Sequence, residues 1–382
     1  MKIATHLERI QPSYIREILS DANAEGVISL AGGLPSSDHF PMALMSEALQ
    51  SLVNTPALFQ YGETAGYRPL LDYFHQLYQL NDQQRGIVCT GSQQGLDLIA
   101  RTFLNVGDSV VVESPSYLGA LQVFGIAQAR IETVEQTSTG PDLDELETLL
   151  RQKPIKLFYT VPDFHNPTGI CWSLDTRKAV ATLCQRHGVV LVEDAPYREL
   201  RFSGEALPMV SSFCPEQSLV LRSFSKVATP GMRLGLLTGP APWVESIAIV
   251  KQAADLHSSQ PMQAVLLKLL SHIGFTEHLG SLCALYGARY EQLSQRLQQL
   301  GDGYEFCAVQ GGMFVWLKVP GGDPMAIAKA ALENGVAIVP STVFYTLGAI
   351  NEGKAESAFR LNFSHAHHEQ LATAVERLKA TF

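Results

Sequence analysis

Val189-Val190-Leu191-Val192-Glu193-Asp194-Ala195-Pro196-Tyr197 is an apolar run that closes on two carboxylates, a proline and a tyrosine. The arrangement returns at Ser218-Leu219-Val220-Leu221-Arg222-Ser223-Phe224-Ser225-Lys226, apolar first and polar at the carboxyl end. Short segments rich in Val, Ile and Leu read as strands. In a doubly wound sheet, ligands bind in the crevice beyond the carboxyl ends of the strands, and both polar tails fall there. Lys226 stands beside Ser223 and Ser225, and Val227-Ala228-Thr229-Pro230-Gly231-Met232 lead on to Arg233. A lone lysine at such a place reads as a solvated loop residue. In this company it suits a carbonyl cofactor that also carries a phosphate.

Working outward, strands are expected at Gly86 to Thr90, Ser109 to Glu113, Arg130 to Val134, Ile155 to Val161, Val189 to Glu193, Ser218 to Ser223 and Leu234 to Thr238. Helical spacing lies between most of them, as in Asp142 to Arg151 and Thr176 to His187. That alternation predicts an α/β layer with a mostly parallel sheet. Beyond Gly239-Pro240-Ala241-Pro242 the pattern becomes two long helices, Trp243 to Ser271 and Thr276 to Leu300. A smaller α+β unit follows, with strands near Met313 to Val319, Ala337 to Val339 and Ala358 to Phe363, and a closing helix that aligns Leu371, Ala374, Val375 and Leu378. The expected division is an N-terminal arm over 1–45, a large domain over 46–245, and an interdomain helix with a small C-terminal domain over 246–382.

With 382 residues, 46% of them hydrophobic and 17% charged, the chain can bury a core larger than that of one typical domain. A net charge of −9 gives no basic footprint for nucleic acid. The cysteines Cys89, Cys171, Cys184, Cys214, Cys283 and Cys307 show neither Cys-x-x-Cys pairs nor metal-ligand spacing, which fits small core residues in a reducing compartment. Met1 to Ile10 carries Lys2, Glu8 and Arg9 and no long apolar stretch, so neither a signal peptide nor a membrane anchor is expected, and the cytoplasm is.

Three further clusters fall at strand ends. Thr90-Gly91-Ser92-Gln93-Gln94-Gly95 opens a helix and offers free N–H groups to an anion, although for the motif taken alone a plain N-cap at Ser92 is the better explanation. Asn166-Pro167-Thr168-Gly169 makes a turn able to aim the Asn166 amide at a ligand oxygen. Asp194 either caps the next element or, partly desolvated, calls for a cationic partner such as a protonated pyridine nitrogen. In Ala358-Phe359-Arg360-Leu361-Asn362-Phe363 the phenylalanines and leucine share one face, and Arg360 and Asn362 the other, as in a strand with one wet face.

The set and its order resemble the fold type I aminotransferases, the aspartate aminotransferase superfamily, across nearly the whole chain. Pro12-Ser13-Tyr14-Ile15-Arg16-Glu17-Ile18-Leu19, Ala31-Gly32-Gly33-Leu34-Pro35, Tyr61-Gly62-Glu63-Thr64-Ala65-Gly66-Tyr67, Gly91-Ser92-Gln93-Gln94 and Gly311-Gly312-Met313-Phe314-Val315-Trp316 are most similar to the 2-aminoadipate and kynurenine aminotransferase subgroup. The resemblance implies a three-layer fold with a mostly parallel central sheet and a smaller α+β domain. It implies pyridoxal phosphate held by a Schiff base to Lys226, with Asp194 on the pyridine nitrogen, Asn166 and Tyr197 on the phenolic oxygen, and Tyr117 stacked on the ring. Ser92, Gln93, Ser223, Ser225 and Arg233 then form the phosphate site, Gln94 is a further cofactor-binding residue, and Tyr61 reaches the phosphate in a neighbouring subunit, which implies a homodimer. Arg360 grips the substrate α-carboxylate with its planar fork, with Gly33 and Asn166 close by, and Arg16 can approach the substrate side chain.

The implied reaction is a two-stage exchange of an amino group between an L-amino acid and a 2-oxo acid, with Lys226 moving the proton. The donor is of 2-aminoadipate, aromatic or branched-chain type, and 2-oxoglutarate or pyruvate accepts. The same residues also permit β-lyase, racemase or decarboxylase chemistry. A ligand-sensing module of a transcription regulator would need a DNA-binding domain ahead of Ala31, where fewer than forty residues stand. Asp163 and His165 replace the small or amide residues common in relatives, at what should be the pocket edge. His365-Ala366-His367-His368 lacks a matching carboxylate or cysteine set, so no metal is expected.

Overall fold

The computed structural model describes residues 3–9, 22 and 24–382; Arg16 and its segment Pro12 to Leu19 lie outside the described residues. The main sheet has eight strands, in the order Gln84–Cys89, Gly235–Pro240, Ser218–Ser223, Val190–Asp194, Ile155–Thr160, Ser109–Ser114, Arg130–Thr137 and Gly140–Pro141. From Ser218–Ser223 to Arg130–Thr137 every neighbouring pair is parallel. Gly235–Pro240 runs against both its neighbours, and Gly140–Pro141 adds a short antiparallel edge that the sequence did not announce.

Alternation along the central strands builds three layers. Val110, Val112, Leu157, Tyr159 and Val192 join one core, whereas Val111, Phe158 and Leu191 join another on the opposite face. Helices cover both faces. Leu143–Gln152 buries Leu146 and Leu150 and is capped by Asp142, whose side chain accepts from the Glu145 N–H. Leu174–His187 is capped by Ser173 and stops at Gly188 with φ +66°, a left-handed conformation that suits glycine. Such caps are worth about 1 kcal/mol each, and they fix where each strand–helix turn begins.

Two expectations need correction. The single helix over Trp243 to Ser271 is two, Ala241–Asp255 and Gln260–Ser271. Leu256 turns to φ +64°, and Pro261 in the first turn of the second helix has no N–H to continue the first. The strand expected over Ala337 to Val339 is also divided: Val336–Ala337 pairs with Ile28–Ser29, and Val339–Pro340 with Ala358–Asn362. That division lets one short segment serve two sheets.

The smaller antiparallel sheet runs Glu305–Phe306, Phe314–Lys318, Ala358–Asn362, Val339–Pro340. Arg360 lies in an inner strand, opposite Trp316 on one side and Val339 on the other. The closing helix His368–Lys379 buries Leu371, Ala374, Val375 and Leu378, the face read from the sequence. No described helix is long and apolar enough to cross a membrane.

Candidate active site

The crevice at the strand ends is a cavity of about 430 Å³, within the range of ligand pockets. Its first corner is built on glycine. Gly91 has φ +80°, and a Cβ there would stand 2.9 Å from Arg233 Nη2, so only glycine lets the guanidinium approach the turn. Gly235 packs as closely: its Cβ would lie 2.7 Å from Gly91 C and Ser92 N. Ser92 is the first residue of helix Ser92–Phe103 rather than its cap, and no side chain caps that helix. The N–H groups of its first turn therefore keep no intrahelical acceptor. Ser92, Gln93, Ser223, Ser225 and Arg233 all line this corner. Together they can hold a dianion.

The second corner holds Lys226 and Asp194. Lys226 Nζ donates to the Gly33 carbonyl at 2.7 Å. Burial first, then the neighbouring charges of Arg360 and Arg233, push the ammonium down to about 8. Asp194 is buried at the end of its strand, where Oδ2 accepts from the Tyr159 hydroxyl at 2.9 Å. Its other oxygen, Oδ1, is buried with no partner among the described residues. It caps no helix; burial pushes the carboxyl up to about 7 and the Tyr159 hydroxyl only partly offsets this. Asn166 Nδ2 donates to the Tyr197 hydroxyl at 3.4 Å, and the Tyr117 hydroxyl donates to Gln93 Oε1 at 3.0 Å.

Arg360 closes the cavity. Every residue of strand Ala358–Asn362 is buried, so the wet-face reading of that strand fails. Its guanidinium donates to Asn166 Oδ1 at 2.8 Å and the Ala31 carbonyl at 2.6 Å, and lies over the Phe314 ring at 4.4 Å. These partners are an amide, a carbonyl and a ring rather than a carboxylate, and Nε is buried without any among the described residues. Burial pushes the group down to about 10. A buried cation so placed is a site for an anion.

Residues 25–378 match the family of aminotransferases of class I and II. The chain belongs to that family. It is 34% identical to the 2-aminoadipate transaminase of Thermus thermophilus over 97% of this chain and 94% of the relative. It is 32% identical to aromatic-amino-acid aminotransferase 1 of Thermococcus litoralis, covering 97% and 92%. The crystal structure of an α-aminoadipate aminotransferase from Thermus thermophilus, complexed with N-(5'-phosphopyridoxyl)-L-leucine, superposes with a TM-score of 0.91 at 33% identity, covering 99% of this chain and 96% of that one. The protein is a pyridoxal phosphate-dependent transaminase of fold type I, acting on amino acids and 2-oxo acids.

In this aminotransferase the structure brings Gly33, Ser92, Gln93, Tyr117, Asn166, Asp194, Tyr197, Ser223, Ser225, Lys226, Arg233 and Arg360 to one cavity. Gln94 is a correction. Its side chain turns away from the cavity to accept from the Thr90 N–H at 2.7 Å and to donate to Asp255 at 2.6 Å. Tyr61 is 79% exposed and packs edge-on against His257, outside the cavity of its own chain. Asp163 and His165 are buried behind the edge rather than on it. Asp163 binds Arg177 at 2.7 Å and Arg198 at 2.6 Å, while His165 meets Thr168 at 3.0 Å and is pushed down to about 3 by burial. His367 opens the last helix, its N–H donating to Gln370 Oε1 at 2.9 Å.

The sequence reading missed Tyr159, Gly119 and Gln122, which also line the cavity. Tyr159 had a signal, being a hydroxyl near the carboxyl end of an apolar strand. Gly119 is held by packing, since a Cβ there would lie 2.5 Å from the Tyr117 ring. Nothing local marks Gln122.

Proposed function

We propose that the phosphate of pyridoxal phosphate sits on the Ser92 and Gln93 N–H groups, the Ser223 and Ser225 hydroxyls and Arg233, with Lys226 as the covalent anchor. The carrying observation is the buried Asp194 Oδ1, without a partner among the described residues, in the same cavity as Lys226. A protonated pyridine nitrogen supplies the donor and the charge that this oxygen lacks. Asn166 and Tyr197 converge suitably for the phenolic oxygen, and Tyr117 for the ring face. When bound, the cofactor supplies an aldehyde for amines and a ring that draws electrons from the substrate Cα.

The chain's own residues do the rest. With its ammonium held at about 8, Lys226 is neutral in a useful fraction near neutral pH, so Nζ can take the Cα proton and pass it on. Asp194 keeps the pyridine nitrogen protonated. Arg360 binds the α-carboxylate, assisted by Asn166, and so points the Cα–H bond toward Lys226. Among the described residues a Cβ at Gly33 would meet only the Phe314 ring, Cζ at 3.4 Å and Cε1 at 4.0 Å, so the protein itself leaves room there for a substrate carboxylate.

We infer donors of 2-aminoadipate, aromatic or branched-chain type, with 2-oxoglutarate or pyruvate as acceptor; the partly apolar lining of Leu118, Val161 and Pro196 supports the apolar donors, and the names of the relatives support the aromatic and 2-aminoadipate types. A homodimer is supported by the exposure of Phe59 and Tyr61 on one short segment. The six cysteines are all free, which favours the cytoplasm. We also infer the division 1–45, 46–245 and 246–382, with the Arg360 sheet in the last part. Lys226→Ala tests the anchor: it should fold, lose turnover and lose the borohydride-trapped bond to the cofactor. Trapping at another lysine in a folded variant would refute it.

A further inference from the structure

Behind the phosphate corner, Gln94 belongs to a closed cluster centred on Lys251. This lysine, on helix Ala241–Asp255, is 0% exposed and does not line the cavity. Its amine donates to Gln94 Oε1 at 3.1 Å, to both Asp255 oxygens at 2.9 Å and to Ser258 Oγ at 3.1 Å. Thr90 joins through its hydroxyl, 3.1 Å from Ser258 Oγ and 3.4 Å from Asp255 Oδ2.

Geometry leaves the Gln94 amide one choice. Two donors, the Thr90 N–H and the Lys251 amine, converge on Oε1, while Nε2 faces the Asp255 carboxylate. Flipping it would oppose donor to donor and acceptor to acceptor. The fixed amide holds the Thr90 N–H, and with it the turn into Gly91 and Ser92. Without Lys251 the amide keeps only the Thr90 N–H and Asp255 as partners, its oxygen loses the charged donor that anchors it, and the acceptor of the Thr90 N–H is held less firmly.

We propose that Lys251, paired with Asp255, is a positioning residue for the cofactor phosphate, acting through Gln94 on the Thr90–Gly91–Ser92 turn; this rests on reading that turn as the phosphate cradle. It touches neither cofactor nor substrate, so its signature is a loss confined to phosphate-bearing ligands.

The experiment compares pyridoxal phosphate with pyridoxal, which lacks the phosphate, on the full chain stripped of cofactor, by absorbance of the bound form. In Lys251→Met, Asp255 keeps contact with water because its side chain is 28% exposed. The dissociation constant for pyridoxal phosphate should rise about 10- to 100-fold, the worth of hydrogen bonds to charged groups, with pyridoxal changing by less than about 3-fold. Equal losses for both ligands, or no loss for either, would overturn the proposal. Gln94→Leu should give the same selective loss, and the double variant no more than either single one; additive losses would count against a shared route. If Lys251→Met does not fold, Gln94→Leu decides alone by the same selectivity. Arg233→Met separates the two readings. No phosphate-selective loss there removes the cradle itself, whereas a loss there without one in Lys251→Met removes only the role of Lys251.

Discussion

Replacing Asp194 by Asn in the cofactor-free protein keeps an acceptor for the Tyr159 hydroxyl and removes the charge. Burial holds the Asp194 carboxyl at about 7 against an ordinary 3.8, so the folded chain stays protonated where the unfolded chain has ionised. Between these limits the folded state binds more protons, and stability falls as pH rises. At about 1.4 kcal/mol per pH unit the rise amounts to about 4 kcal/mol, fully developed above pH 7 and almost gone near pH 4. Asp194→Asn should therefore be more stable than the parent by about 4 kcal/mol at pH 8, and by less than about 1 kcal/mol at pH 4. Urea unfolding of both cofactor-free proteins at the two pH values measures this. Equal stabilities at pH 8, or a gap that does not change with pH, would refute the claim that this carboxylate is buried without its partner. With cofactor bound, the proposed pairing of Asp194 with the ring nitrogen predicts a cost instead: the same substitution should slow turnover by several powers of ten, on the order of 3 to 5 kcal/mol.

Three further outcomes are expected. The rate at which pyridoxal phosphate attaches to the cofactor-free chain should rise with pH and level off above about 8, as Lys226 loses its proton, and Arg360→Leu should move that midpoint upward by removing a positive neighbour; an unmoved midpoint would separate the two groups. Arg360→Lys should raise KM for every amino donor alike, because an ammonium cannot span Asn166, the Ala31 carbonyl and a carboxylate at once; a loss confined to one donor class would contradict that role. For Arg16, outside the described residues, Arg16→Ala should cost acidic donors about 1.5 to 3 kcal/mol in kcat/KM and spare aromatic ones; equal loss, or none, would remove it from the site.

The strands were legible because their apolar runs end abruptly on polar residues, and those endings also announced Asp194, Ser223 and Lys226. What could not be read was where a side chain turns once it leaves its element. Gln94 stands two residues beyond Ser92 in the same helix opening, and the sequence made the two look equivalent. They diverge because successive residues of a helix point about 100° apart, so Ser92 meets the cavity while Gln94 faces the Lys251–Asp255 pair. Asp163 failed in the same way: two residues from His165 and three from Asn166, it answers to Arg177 and Arg198, which come from other elements. Local pattern locates the strand end and the turn. The inward or outward sense of each polar residue is set by partners distant in the chain, and at both positions a buried cation, Lys251 or Arg177, takes the polar side chain as one of its several partners and so turns it away from the substrate.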